Sequence, residues 1–140
     1  MSRLAVGARR ASLVRVAVTG VVATVVAAAL TTAAAAVAKS AGVDFEIPDG
    51  GESIPVAGFA TVTTAFSLVG VGIALALSRW SARPATRFVQ IAVPLTAVSL
   101  APPFAVGADA GTAETLVGLH LVAAAVMVPA MARCLRRGSD

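Results

Sequence analysis

The sequence predicts an all-α integral membrane protein, a bundle of four transmembrane helices with both termini in the cytoplasm. Only 13% of its 140 residues are charged and 58% are hydrophobic, whereas a soluble domain carries about 25% charged residues. The charges also cluster between four long apolar runs, as in multi-pass membrane proteins. Finally, the segments between these runs alternate between basic and acidic composition, which indicates an orientation.

The chain begins with a short basic segment, residues 1–15, followed by an uncharged run at residues 16–38. At a rise of about 1.5 Å per residue, this run is long enough to span the roughly 30 Å hydrocarbon core. A signal peptide is the alternative, because the Ala-Val-Ala run that ends at Ala38 has the form of a cleavage site. The apolar stretch of a signal peptide is usually about 7–15 residues long, so we expect a retained first helix.

The first connector, residues 39–55, is acidic and contains paired glycines, which is typical of a loop. Pro55 then suits the first turn of a second span at residues 56–78, because its missing N–H costs nothing there. Small and hydroxyl side chains recur on one face of this span, and close helix packing in lipid uses such faces. The members of this predicted packing face are Ala60, Thr63, Ser67, Gly70 and Ala74.

A basic connector at residues 79–87 leads to the third span, residues 88–106. This span contains Pro94 and ends near the pair Pro102-Pro103. A proline inside a helix removes a hydrogen bond and bends the helix, so we expect the third helix to end or bend at the pair.

The fourth span is predicted at residues 113–132, after a loop in which Asp109 or Thr112 can cap the helix. Glu114 then complements the positive end of the helix dipole. The chain closes with a basic tail, residues 133–140.

The distribution of charge predicts the orientation. Ten of the eleven basic residues lie in the N-terminal segment, the second connector and the C-terminal tail. Six of the seven acidic residues lie on the opposite side, namely Asp44, Glu46, Asp49, Glu52, Asp109 and Glu114. By the positive-inside rule the termini are cytoplasmic and the acidic loops face outward. We therefore expect a multi-pass protein of the bacterial plasma membrane.

The only histidine, His120, lies within the fourth span, and an ionisable side chain inside a membrane helix is the default place to look for function. It lies about seven residues into the helix, roughly 10 Å below the outer surface. Hydroxyl residues fall at a similar depth in the other three helices. The predicted polar pocket comprises His120, Ser99, Thr96, Thr63 and Thr31, and its predicted outer mouth comprises Asp109, Glu114 and Glu52.

Three roles for His120 remain open at this point. It can form a structural hydrogen bond between helices, worth about 0.6 kcal/mol on average. It can handle protons or a ligand, since histidine titrates near neutrality. Ligation of a metal or haem is the third role, but one histidine cannot form a two-histidine site, and the nearest further ligands are Asp109 and Glu114. No cofactor is expected.

Other classes of function find less support. The single cysteine, Cys134, excludes an internal disulfide, and the chain has none of the common motifs of hydrolases, zinc proteases or phosphate-binding loops. A Ser99–His120 pair would need an orienting acid and an oxyanion hole for catalysis, so an enzyme is not expected. The net charge of +4 comes from arginines beside apolar runs, not from a basic face of the kind that binds nucleic acid.

Three segments, RPATRF, SLAPPF and GADAGTAETLVGLHLVAAAVMVPAMAR, resemble a family of small four-helix membrane proteins from actinobacteria that is catalogued as a domain of unknown function. The resemblance extends from Val16 onward and is most specific at Arg83, Pro84, Ser99, Pro102, His120 and Pro129. It implies an integral membrane protein and no particular activity.

We therefore expect a structural or accessory membrane protein whose acidic outer loops meet a partner. A small-molecule or proton-linked transporter or binding protein that uses the polar layer around His120 is the alternative. The expected partners are the lipid bilayer and either a second copy of the chain or another membrane protein, but not nucleic acid.

Overall fold

The computed structural model describes residues 3–46 and 52–138, and every structural statement below concerns those residues. They form α1 (Arg3–Ser40), α2 (Val56–Trp80), α3 (Pro84–Ser99), a single turn α4 (Pro102–Ala105) and α5 (Ala110–Arg137). Four stretches are long and apolar enough to cross a membrane, because α3 and α4 together make the third. The predicted all-helical fold with four such helices is confirmed. Asp49, one of the predicted outer acids, lies outside the described residues.

The helices form a bundle in which α1 packs between α2 and α5. The third helix packs against α5 and α2, so that α1 and α3 lie on opposite sides. Many large apolar side chains point away from the bundle, including Val25, Phe66 and Val98, which are 63%, 67% and 71% exposed. A soluble protein rarely exposes so much apolar surface, whereas lipid chains would cover it.

The first helix is longer than the predicted span. Its 38 residues extend about 57 Å, nearly twice the roughly 30 Å hydrocarbon core. The basic segment that the sequence separated at residues 1–15 is therefore helical from Arg3 onward and continuous with the span. Arg, Ala and Leu continue a helix readily, and no proline interrupts this segment.

The inner face of α1 supplies the middle of the bundle. Its buried residues recur every three or four positions, which is the helical repeat: Val16, Gly20, Ala23, Thr24, Ala27, Thr31 and Ala35. Ala38 lies inside this helix and packs beside Ala35. Cleavage after Ala38 would remove the face on which α2 and α5 pack. Retention of the first helix stays a prediction.

The first two helices approach each other closely at Gly20. A Cβ atom added there would lie 2.6 Å and 2.7 Å from the two methyl carbons of Val71. Val71 is buried and β-branched, so its side chain cannot easily rotate away. The missing side chain of Gly20 is thus what allows the two backbones to lie at this distance.

At the opposite end of α1, the first connector folds back over the bundle. Phe45 is fully buried, and its ring centroid lies 4.9 Å from that of Phe59. The N–H of Ile54 donates to the carbonyl of Phe45 at 3.0 Å. Phe45 has a φ of 55°, which is unusual for a bulky residue and is held here by burial among α1, α2 and α5.

The third span is broken near its end, as the double proline predicts. Pro102 and Pro103 lack the N–H groups that would donate to the carbonyls of Val98 and Ser99. The third helix therefore ends at Ser99, and the single turn α4 starts at Pro102. Ser99 consequently lies at a helix terminus rather than within a continuous helix.

We expect Gly20→Ala to destabilise the protein by about 1–3 kcal/mol, the usual effect of overpacking a tight contact. Gly72→Ala is the matched control, because a Cβ at Gly72 meets nothing within 4 Å. Unfolding of both variants in detergent measures the difference. Equal stability of the two variants would contradict the close contact between α1 and α2.

Candidate functional site

His120 makes a hydrogen bond that connects two helices. Its Nε2 atom in α5 lies 2.6 Å from the Oγ atom of Ser99, the last residue of α3. Ser99 Oγ also donates to the carbonyl of Thr96 at 2.8 Å. A serine hydroxyl has one hydrogen and accepts through its lone pairs. Both contacts are satisfied when that hydrogen points at Thr96 and the Nε2–H of His120 donates to Ser99.

A second polar pair connects the other two helices. Thr31 of α1 and Thr63 of α2 place their hydroxyl oxygens 3.0 Å apart. Thr31 also donates to the carbonyl of Ala27 at 2.9 Å, so it accepts the hydrogen of Thr63. Thr31 is only 1% exposed, and this bond therefore satisfies a hydroxyl that has no access to solvent.

The structure brings the predicted polar residues together as two pairs. No hydrogen bond among the described residues joins the Ser99–His120 pair to the Thr31–Thr63 pair. Thr96 directs its hydroxyl to the carbonyl of Ala92 in its own helix at 2.8 Å, and it meets Ser99 only through its backbone. A single pocket formed by all five residues stays a prediction.

The three predicted mouth residues, Asp109, Glu114 and Glu52, are all exposed at the His120 end of the bundle. Of the two caps that the sequence left open, Asp109 is the N-cap of α5 and Thr112 lies within the helix. The Asp109 carboxylate accepts from the N–H groups of Gly111 and Thr112 at 3.0 Å and 3.3 Å. The pKa of Asp109 lies below its usual value because the Thr112 hydroxyl and these N–H groups favour the charged form. The buried Thr112 hydroxyl lies near the Asp109 carboxylate but does not form a hydrogen bond with it. Its effect on the pKa of Asp109 is therefore that of a nearby dipole.

The Ser99–His120 pair has the spacing of a nucleophile and its base. Catalysis of acyl transfer would also require a group that orients the imidazole and an oxyanion hole. Within the described residues, Ser99 is the hydrogen-bond partner of His120 and no carboxylate contacts the ring. That part of the chain likewise holds no cluster of three or more His, Cys, Asp or Glu side chains that could bind a metal ion. The geometry therefore suits a bond between helices or a proton site.

Sequence reasoning missed a set of contacts at the opposite end of the bundle. Arg15 of α1 donates to the carbonyl of Arg137 in α5 at 3.2 Å. Cys134 of α5 donates to the Thr19 hydroxyl of α1 at 3.5 Å. A cavity of about 200 Å³ lies beside these contacts. Serines at three places in its lining lie close to arginines in the sequence. This repeated pairing of serine with arginine was the sequence signal that could have indicated the cavity.

A larger groove, of about 540 Å³, runs over the surface between α1 and α2 near Trp80. It lies toward the same end as the smaller cavity, and neither space is lined by His120 or Ser99.

The family whose description reads "Family of unknown function (DUF6069)" matches residues 11–137 of the chain. No curated protein and no solved structure matches the chain. The matched residues include α1 from residue 11 onward, the other four helices and both polar pairs.

Replacement of Asp109 tests its role as a cap. Because its pKa is lowered by folding, the carboxylate stabilises the protein above the ordinary aspartate pKa, and this stabilisation is lost as the pH falls through the lower folded pKa. Asp109→Asn keeps a capping side chain but removes this titration, whereas Asp109→Ala removes both. Thermal unfolding between about pH 2.5 and 6 compares the three proteins. An identical pH profile for Asp109→Asn and the native protein would contradict this assignment.

Proposed function

Because the chain belongs to the DUF6069 family of unknown function, we propose that it is a small multi-pass membrane protein with a structural or accessory role. The observation that carries the proposal is the Ser99–His120 hydrogen bond, in which a half-buried imidazole within an apolar helix joins α3 to α5. In this proposal the imidazole holds α3 against α5, a role that does not involve binding a substrate.

The position of this bond explains why it matters. The buried residues of α3 are Pro84, Ala85 and Phe88, all in its first half. Near its other end, α3 is largely exposed, and Ser99 supplies a specific attachment to α5. Hydrogen bonds between membrane helices contribute about 0.6 kcal/mol on average and at most about 1.7 kcal/mol. A bond of that size orients a helix that few apolar contacts hold.

A proton-linked transporter or binding protein is the second candidate, and a specific observation favours it. His120 is only half-buried, and its Nδ1 atom has no hydrogen-bond partner within the described residues. A histidine with one nitrogen available can exchange a proton near neutral pH. In this alternative the exposed acids Asp109, Glu114 and Glu52 would attract cations or protons to the outer end.

The proposed location is the plasma membrane of a bacterium, with both termini in the cytoplasm. The arginines at one end and the acids at the other support this orientation. The alanine-, valine- and arginine-rich composition supports an actinobacterial source. A partner that meets the acidic loops, such as a second copy or another membrane protein, completes the proposal.

A double-mutant cycle of Ser99→Ala and His120→Ala tests the structural role. We expect each variant to lose about 0.6 kcal/mol of stability in detergent, and the double variant to lose less than the sum, because both remove the same bond. The stability of the native protein should be flat between about pH 5 and 8, a range that brackets the ordinary histidine pKa.

Thr96→Ala is the matched control for this cycle, because the Thr96 hydroxyl bonds within its own helix. Its effect should add to that of His120→Ala without coupling. The proton-linked role would instead be supported if His120→Ala folds as well as or better than the native protein and abolishes a pH dependence. Such a result would overturn the structural assignment.

Single-cysteine labelling tests the orientation. In a Cys134→Ser background, a membrane-impermeant maleimide should label Glu52→Cys in intact cells, since that position is exposed on the acidic side. It should label Arg83→Cys only after lysis. The reverse pattern would show that the acidic loops face the cytoplasm.

A further inference from the structure

The cavity of about 200 Å³ lies where four elements meet at the arginine-rich end of the bundle. The first helix contributes Ser12, the second helix Ser78, the connector between α2 and α3 contributes Ser81, and Gly138 follows α5. Val16 also lines it and is 1% exposed. The cavity lining therefore combines apolar side chains with hydroxyl groups, which are called its rim below.

Two of these hydroxyl groups have hydrogens free to donate. Ser81 Oγ accepts from the N–H of Arg83 at 3.2 Å, which leaves its own hydrogen available. The Ser12 hydroxyl forms no hydrogen bond within the described residues. Ser78 is different, because its hydroxyl donates to the carbonyl of Leu75 at 2.8 Å. The rim thus offers two hydroxyl donors, although each serine oxygen can also accept.

The guanidinium of Arg15 stands at the same rim. Its Nη2 atom would lie 3.2 Å from a Cβ atom added to Gly138, which lines the cavity. One of its N–H groups donates to the carbonyl of Arg137, and a guanidinium has five such donors. The contact to Arg137 offsets the negative end of α5 and leaves other N–H groups of Arg15 free to donate beside Gly138, at the edge of the cavity.

The surroundings carry positive charge. Arg83 precedes Pro84, a cavity residue, and Arg136 and Arg137 lie beside Gly138. No aspartate or glutamate from the described residues lines the cavity. A group that suits it is an anion with several acceptor oxygens, and arginine pairs with phosphate through two parallel hydrogen bonds.

The depth of the cavity matches the edge of the membrane. Arg15 is the last charged residue before the uncharged run of α1, and Val16 is the first residue of that run. Phosphate groups of lipids lie at this boundary, and anionic lipids attract basic segments on the cytoplasmic side. A lipid phosphate could enter the cavity from the side while its chains remain in the bilayer.

We propose that this cavity binds a phosphate-bearing anion, held by Arg15, Ser12 and Ser81. The site is independent of the Ser99–His120 pair and lies at the other end of the bundle. Its ligand is the phosphate of an anionic phospholipid or free phosphate, and the same donors recognise either.

Binding can be measured with the full chain in nanodiscs of phosphatidylcholine. Phosphatidylglycerol is added in one series and inorganic phosphate in another, at matched ionic strength, and the thermal midpoint is followed. We expect a saturable increase in the midpoint. Arg15→Gln should weaken the apparent affinity about tenfold, the effect of losing a charged hydrogen bond of about 1.4 kcal/mol.

Arg10→Gln is the matched control, because Arg10 carries the same charge in α1 but lies two residues before Ser12, and side chains two positions apart do not share a helix face. This variant should bind like the native protein. Ser12→Ala provides a second variant if Arg15→Gln fails to fold, since Ser12 has no hydrogen bond to lose, and it should weaken binding several-fold. Saturation by phosphatidylglycerol alone would identify a lipid, and saturation by inorganic phosphate would identify the free anion. Equal weakening in Arg10→Gln and Arg15→Gln, or no stabilisation by either ligand, would overturn the proposal.

Discussion

The close approach of α1 to its neighbours is the constraint on which the rest of the bundle depends. Lipid chains are as apolar as the helices, so burial gives helices little reason to associate, and tight packing must do so. The buried face of α1 is built from small residues such as Gly20, Ala27 and Ala35, which let other backbones approach. Because α1 contacts both α2 and α5, the positions of those two helices follow from this face.

Polar side chains in the apolar interior follow a second constraint, since each hydroxyl needs a partner where water is absent. Thr24 donates to the carbonyl of Gly20 at 2.8 Å, which satisfies its hydroxyl within α1. The Thr31–Thr63 and Ser99–His120 pairs use their remaining capacity between helices. The hydrogen bonds between helices thus fix the rotation of each helix relative to its neighbour. Small residues set the distance between the helices.

The two ends of the bundle differ in chemistry as well as in charge. At the acidic end, Phe45 from the first connector closes over α1, α2 and α5. At the basic end, the elements meet less completely and leave a cavity rimmed by serines and Arg15. Phe45 thus covers part of the acidic end, whereas the basic end holds a cavity beside cationic side chains.

The sequence alone determined the helical fold and the four apolar spans, because these depend on local composition and spacing. It also narrowed the cap of the last helix to Asp109 or Thr112, of which the structure selects Asp109. It also predicted polar groups at one depth, including Ser99 and His120. Only the tertiary structure decided that these groups pair two by two, because the rotation of each helix depends on contacts between Gly20 and Val71 and others like it. The meeting of Ser12, Arg15, Ser81 and Gly138 likewise arises from residues far apart in the chain, which only packing brings together.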